Sequence, residues 1–391
     1  MPKGHRNKIV EYSRQILTEA ENGLPIDGIM RKFFREKSGL SRIVAHQVRK
    51  QIFEFLRWRG CLGSTDPTTG NFDTVRELAR LFESSPDDFP EDKLLKSVPF
   101  WIRDYMDCPV GWLRQIQKEP TLWIRCRNPK APTLADIENI QAYQSLEFDS
   151  AVPAWLRSAL ESWHEVREFT GEKDLFRTDA FHAGDLEIQD ISSQVVSRLA
   201  SPEPGQKWWD ACCGEGGKTL HLCHLMQNKG LVMATDRAGW RLTNLKKRAA
   251  RAGVFNYQTE RWNGPQDKNP GRAGAYDGIL LDAPCTGAGT WQKNPDGRWR
   301  LTPEAIRDMH NTQLALLQKC WKSLKRGGRM VYAVCTMTKM ETIDVYNKFT
   351  ESTPDAEPTP FTQSGSPTVM LWPQEIRGNG MFVAQWTRKS S

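Results

Sequence analysis

No run among the 391 residues stays apolar for the roughly 20 positions that a membrane-crossing helix requires, so a helical membrane protein is excluded. The nine cysteines, at 61, 108, 126, 212, 213, 223, 285, 320 and 335, include no C-x-x-C pair and are odd in number. That argues against both a disulfide framework and a zinc site, and no metal is expected. Most buried cysteines are inert small hydrophobes, so each needs its own reason before it is read as reactive. An apolar signal core is missing as well. Met1-Pro2-Lys3-Gly4-His5-Arg6-Asn7-Lys8 is basic and leads into an amphipathic pattern, which gives the expectation of a cytoplasmic protein without membrane contact. A monomer is expected.

What the chain does have is length for two or three domains and a net charge of +7 gathered at one end. Residues 1–60 hold 13 Lys/Arg against 6 Asp/Glu, while the remainder is balanced. A concentrated positive excess suits a polyanion, nucleic acid foremost, because phosphate neutralisation dominates that kind of affinity. A solvated helical surface is the competing reading. Ile9, Val10, Ile16 and Leu17 recur at helical spacing, as do Val44, Val48, Ile52, Phe55 and Leu56, with Ser41 placed as an N-cap. Residues 1–62 therefore read as a helical segment. Residues 63–97 are polar and acidic with Pro67, Pro86 and Pro90, frame one helical stretch from Thr74 to Phe82, and read as a linker. Residues 98–175 read as a small α+β domain rich in tryptophan, with a strand at Leu122-Trp123-Ile124-Arg125-Cys126-Arg127. Aromatics interleaved with arginine suit single-stranded RNA and suit a small core equally well.

After Phe176 the rhythm changes to short strands alternating with helices. Strands are predicted at 207–211, 231–235, 256–261, 276–281, 329–334 and 381–386, and helices near 217–227, 239–252, 303–325 and 340–350, with a loop over 352–368. That alternation predicts an α/β fold for residues 176–391: a Rossmann-like, doubly wound, mostly parallel sheet. Functional groups in such sheets gather beyond the carboxyl ends of the strands, where Asp210, Asp236, Asn263, Asp282 and Cys335 fall.

Trp208 to Thr219 reads as a strand, a glycine-rich turn and a helix start. Three ligand classes compete for it. A P-loop needs a glycine where Cys212 stands, although Gly217-Lys218-Thr219 supplies its end. A dinucleotide fingerprint accepts Gly214 and Gly216 and fails at Thr219. The third class is S-adenosylmethionine, whose ribose needs an acid at the end of the second strand, and Asp236 lies 20 residues past Gly216.

Asp282-Ala283-Pro284-Cys285 follows one apolar strand and Cys335 ends another. In a methyltransferase sheet these strands would be neighbours, so both thiols could face one pocket. Carbon 5 of cytosine is a poor nucleophile until a thiolate adds to carbon 6 and makes carbon 5 enamine-like. After methyl transfer a base must remove the carbon-5 proton so that the thiol can leave. Asp282 could bond the exocyclic amine and ring nitrogen of an unpaired or flipped base. Cys212, Cys213, Cys223 and Cys320 read as packing residues. Spacing does not say which of Cys285 and Cys335 attacks.

The residues Leu186 to Asp190, Asp210 to Thr219, Asp282 to Gly289, Asn294-Pro295-Asp296, Lys325 to Gly328, Tyr332 to Thr336 and Gly380 to Ala384 together resemble the RsmB/Sun family of RNA cytosine-5 methyltransferases. The resemblance implies S-adenosylmethionine as cofactor and a 5-methylcytosine product. It also implies Cys335 as the attacking thiolate and Cys285 as the residue that assists release. By the same resemblance, Cys212, Cys213, Gly214, Glu215, Gly216, Gly217, Lys218, Asp236, Arg241, Asn263 and Asp282 would line the cofactor site, with Lys218 close to the reacting centre. Gly214-Glu215 departs from the family's Ala-Pro, Asn263 from its acid, and only Glu341 remains of an acidic pair further on. Leu40-Ser41-Arg42 and Val48 to Leu62 are similar to the helical NusB-like RNA-binding domain of the ribosomal-RNA branch, which favours ribosomal RNA as the partner. Two other readings stand beside this one: an RNA-binding ribosome-assembly protein without catalysis, and a P-loop ATPase.

Overall fold

The computed structural model describes residues 3–37, 39–62, 71–135, 137–143 and 152–390. Met1, Pro2 and residues 63–70 of the expected linker, Pro67 among them, lie outside that set. The chain divides into two compact units, one of residues 1–119 with 290–302, the other of residues 120–289 with 303–391.

The first unit is helical. Its helices Lys3–Ala20, Ile26–Glu36 and Arg42–Trp58 bury Ile16, Leu17, Ile29, Met30, Val48, Ile52 and Phe55, the stripe that the 3.6-residue period predicts. Ser41 caps the third helix by accepting from the Val44 N–H at 3.3 Å. The described part of the expected linker is not a spacer. It forms helices Phe72–Ser84 and Glu91–Lys96, because Phe72, Val75, Phe82, Phe89 and Leu94 carry an apolar face that the proline count concealed. Trp58 packs its ring against Phe82 and Phe89 at 5.5 and 5.0 Å.

Residues 290–302 complete this unit from far along the chain. Arg298, fully buried, donates to the carbonyls of Ser97, Ile116 and Trp291 and to Gln117 Oε1. Burial pulls its guanidinium down to about 9. Asp296 accepts from the Ile26 N–H at 3.2 Å, and Trp299 Nε1 donates to the Leu56 carbonyl at 2.6 Å.

The second unit contains two sheets. Strands β1 (Leu122–Cys126), β2 (Ile140–Ala142), β3 (Val166–Phe169) and β4 (Leu186–Ile188) form an antiparallel sheet in the order β2-β3-β1-β4. The expected boundaries at 98 and 175 therefore move. Residues 98–119 belong to the helical unit, and β4 pairs with β1 from beyond residue 175. Three of the tryptophans considered for base stacking, Trp112, Trp123 and Trp163, are core residues. Arg125 is buried with Nε on Gln189 at 2.8 Å, and Arg127 bonds the Ala252 carbonyl.

The larger sheet is built from β5 (Lys207–Asp210), β6 (Leu231–Asp236), β7 (Tyr257–Arg261), β8 (Tyr276–Asp282), β9 (Leu324–Val334), β10 (Ala356–Pro358), β11 (Thr368–Leu371) and β12 (Met381–Arg388). Its order is β10-β12-β9-β8-β5-β6-β7, with β11 on β12. The run from β9 to β7 is parallel, and β12 is antiparallel to β9. Side chains alternate between two cores, as a period of two residues requires. Trp208, Leu280, Val331 and Ala333 pack on one face with Leu220, Leu242 and Leu245. Trp209, Ile279, Leu281, Met330, Tyr332 and Val334 pack on the other with Leu316, Leu317, Trp321 and Phe349. The predicted Rossmann-like sheet is present, and its parallel strands all end on one edge. The expected loop over 352–368 contains the short edge strand β10, which three residues of ladder with β12 create.

Candidate active site

β5 ends at Asp210, and the chain turns through Ala211 to Gly216 into the helix Gly217–Leu225. Gly216 has φ +85°, and a Cβ there would stand 2.5 Å from Leu245 Cγ, so the turn requires glycine. Asp210 is completely buried; its Oδ2 accepts from Thr219 Oγ1 at 2.6 Å, while Oδ1 has no hydrogen-bond partner among the described residues. Burial pushes its carboxyl up to about 7.

At the end of β6, Asp236 accepts from the Gly214 N–H (3.0 Å) and the Ala238 N–H (2.8 Å), and Arg241 lies 3.6 Å from it. It thereby ties the glycine turn to the helix Gly239–Arg251. Beyond β7, Asn263 donates through its backbone N–H and Nδ2 to Asp267, at 2.8 and 2.9 Å, which leaves its Oδ1 as an acceptor.

The ends of β8 and β9 carry the thiols. The two strands pair directly, Asp282 opposite Ala333, and the Cys285 and Cys335 sulfurs stand 3.3 Å apart. The Cys335 sulfur beside it, together with burial, pushes the Cys285 thiol well above its ordinary value. Lys218, on the first turn of its helix, donates to Asp282 at 2.6 Å and to Ser193 Oγ at 3.3 Å. Burial pulls the Lys218 ammonium down, but the Asp282 carboxylate outweighs it and holds the group above its usual range. The loop after Cys285 is anchored where Gly289 donates to the Cys335 carbonyl at 3.0 Å and accepts from Gly380 at 2.8 Å. A Cβ on Gly289 would meet the Gly380 carbonyl at 2.0 Å, so side chains are barred from this crossing.

These strand ends enclose a cavity of about 430 Å³. Its lining includes Cys212, Cys213, Gly214, Asp236, Arg241, Asn263, Asp282, Cys285 and Cys335, all expected from the sequence. Glu215, Gly216, Gly217 and Lys218 do not line it. Lys218 meets the cavity wall through its bond to Asp282. Glu215 is exposed and turned toward the neighbouring helix, where Asn244 Nδ2 bonds its carboxylate at 3.3 Å and Arg248 its carbonyl at 2.9 Å. Cys223 and Cys320 are buried away from the cavity, as expected, whereas Cys212 and Cys213 border it. Burial pushes the thiols of Cys212 and Cys213 far up, which suits packing better than chemistry.

Sequence reading missed Trp262, Thr312 and Leu316 in the lining and gave Glu341 no place in the site. Thr312 and Leu316 lie one turn apart on the helix Pro303–Trp321, a spacing that shows a face and not what the face meets. A nucleoside cofactor fits this cavity. The φ of Gly214 is positive and open space surrounds its missing Cβ, Asp236 offers carboxylate oxygens at the end of β6, and Asn263 offers an amide oxygen at the end of β7.

Residues 197–387 match the family model described as 16S rRNA methyltransferase RsmB/F. The chain is 35% identical over 217 residues to the probable ribosomal RNA small subunit methyltransferase B of Synechocystis sp., covering 52% of this chain and 48% of that protein. It spans about half the length of the first curated relatives it matches. In architecture it is similar to the crystal structure of PH0851, with a TM-score of 0.73 at 21% identity over 99% of both chains. It is also similar to a methyltransferase homolog protein from Pyrococcus horikoshii, with a TM-score of 0.55 at 24% identity over 71% of this chain and 90% of that one. The fold is the Rossmann-like fold of the methyltransferase structures it resembles.

Proposed function

We propose that this protein, whose residues 197–387 match the RsmB/F methyltransferase model, methylates carbon 5 of a cytosine in RNA, ribosomal RNA in particular. One observation carries the reading: two thiols 3.3 Å apart at the ends of adjacent parallel strands, beside an Asp282–Lys218 pair. S-adenosylmethionine, when bound, supplies the methyl group. Cys213, Gly214, Asp236, Arg241 and Asn263 would hold it, with Asp236 accepting from ribose hydroxyls and Asn263 Oδ1 from an adenine amine.

The Cys335 sulfur adds to carbon 6 of the ring, forming an S–C bond and moving electron density onto carbon 5. Asp282 accepts from the exocyclic amine and, with Lys218 fixing its rotamer, keeps the pyrimidine oriented. Once carbon 5 carries the methyl group, Cys285, having released its own proton to solvent water, takes the carbon-5 proton, the ring double bond re-forms, and the bond from carbon 6 to Cys335 breaks to return the Cys335 thiolate.

RNA would be gathered by the basic surplus of residues 1–60, a NusB-like helical region in this reading, and by the small antiparallel sheet. Phe100, 80% exposed with the Arg103 guanidinium 5.2 Å from its ring centre, offers a stacking surface of the kind single-stranded RNA uses. The reading assigns the work to the cytoplasm, in keeping with nine unpaired cysteines.

The test is incubation with labelled S-adenosylmethionine and ribosomal RNA, followed by mapping of 5-methylcytosine. Cys285→Ala should accumulate a covalent protein–RNA adduct and Cys335→Ala should not. Adduct in Cys335→Ala alone would reverse the two roles, and no transfer by the wild-type protein would leave an RNA-binding protein without catalysis.

A further inference from the structure

Cys285 and Cys335 lie just beyond the last ladder bonds of two paired strands and meet at their sulfurs, so their spacing depends on what holds the two loops. The loops meet at Glu341, whose side chain is fully buried. Its Oε1 accepts from the Thr286 N–H at 2.8 Å and from Gln313 Nε2 at 3.1 Å. Its Oε2 accepts from the hydroxyls of Thr286, Thr336 (3.1 Å) and Thr338 (2.7 Å). Thr286 and Thr336 are the residues directly after the two thiols, and their hydroxyls also touch at 3.1 Å. One carboxylate oxygen therefore binds both strand-end loops a single residue away from each sulfur.

Glu341 is itself well anchored. Its carbonyl accepts from Tyr332 Oη at 2.7 Å, and His310 Nδ1 lies 2.6 Å from the Met340 carbonyl. Gln313 adds a second hold on the same region by donating to the Pro284 carbonyl at 3.0 Å, next to Cys285. Glu341 does not line the cavity, so it has no route to the target base.

We propose that Glu341 is a positioning residue that sets the separation of the two thiols, through Thr286 and Thr336, so that both sulfurs can reach adjacent carbons of one pyrimidine ring. The proposal rests on the two-thiol reaction described above. Reacting groups displaced by about 1 Å lose on the order of 100-fold in rate, so a clasp this close to both sulfurs bears directly on turnover. The substitution chemistry is asymmetric. Glutamine can turn its oxygen to the Thr286 N–H and its amide toward the threonine hydroxyls, which rotate to accept, whereas alanine removes the acceptor that the five donors share.

The test uses the full chain and two readouts. In the first, a diazene thiol oxidant takes two hydrogens from the pair, forming a Cys285–Cys335 disulfide and a hydrazine, and peptide mass mapping follows the product. Glu341→Ala should form this disulfide at least about tenfold more slowly than wild type, and Glu341→Gln within a few-fold of it. In the second, Glu341→Ala should lose about 100-fold in kcat for methyl transfer with an unchanged KM for S-adenosylmethionine, and Glu341→Gln should recover most of it. A folded Glu341→Ala that closes the disulfide at the wild-type rate overturns the proposal, and so does equal loss in the alanine and glutamine variants. If Glu341→Ala does not fold, Thr336→Val takes its place: slower disulfide closure supports the clasp, and an unchanged rate overturns it. Disulfide kinetics do not depend on methyl transfer, so an inactive wild-type protein with a clasp-dependent disulfide would sink the reaction and spare the positioning role.

Discussion

The thiol end and the cofactor end of the cavity are built differently. At the thiol end the polar groups are buried and bonded to one another: Thr286, Thr336, Thr338 and Gln313 converge on Glu341, and Lys218 is locked to Asp282. At the cofactor end Arg241 is 45% exposed along its side chain, Asn263 is exposed, and the Asn263 amide oxygen faces no protein donor among the described bonds. A site that must place two sulfurs against one ring needs its geometry fixed in advance. A site that must admit and release a cofactor needs spare hydrogen-bonding capacity at its rim.

Substitutions can break or sharpen that contrast. Cys335→Ala should give the largest effect, abolishing transfer by a factor on the order of 10⁴ or more while leaving cofactor affinity within about twofold, measured by single-turnover transfer and by titration calorimetry. Asp236→Ala should do the reverse, weakening cofactor binding by about 10- to 100-fold, since it loses hydrogen bonds to a charged acceptor and unties Gly214 from the helix Gly239–Arg251. Disulfide closure between Cys285 and Cys335 should stay at the wild-type rate in that variant; a slower rate would show that the two ends are not independent.

Asp210 lies beneath both ends and gives a pH signature. Its folded carboxyl sits at about 7, against 3.8 ordinarily, so the folded chain keeps a proton that the unfolded chain has released. Stability from this group is full below about pH 4 and falls as pH rises through about 7, by a few kcal/mol in all. Asp210→Asn should flatten that slope in denaturant titrations between about pH 4 and 7; an unchanged slope would refute a proton on Asp210. The smallest effect is expected for Glu215→Ala, whose side chain points away from the cavity and whose change in cofactor affinity should stay within about twofold, a shift under about 0.5 kcal/mol.

The same contrast explains what could be read from the sequence. The strands of the larger sheet were legible because parallel strands buried on both faces are short apolar runs, such as Gly278-Ile279-Leu280-Leu281, each closed by a polar residue at the functional edge. The neighbour relation of β8 and β9 followed from the fold class, and with it the meeting of Cys285 and Cys335. Glu341 was not legible as a clasp, because its partners come from positions 286, 313, 336 and 338 and the convergence exists only in three dimensions. Glu215 misled for the opposite reason: adjacency to Gly214 and Gly216 says nothing of where a side chain turns. The boundaries near 98 and 175 failed because β4 joins β1 across sixty residues and because a helical segment is contributed from 290–302.

That late segment bears on the order in which the protein can be made. The acceptors at Ser97 and Ile116 are translated long before the Arg298 that satisfies them, and roughly ten to forty seconds separate the two at ordinary elongation rates. Through that interval the helical unit leaves the ribosome with its final piece unmade, open to chaperones and proteases, and it closes only after both Gly216 and Cys285 have been synthesised.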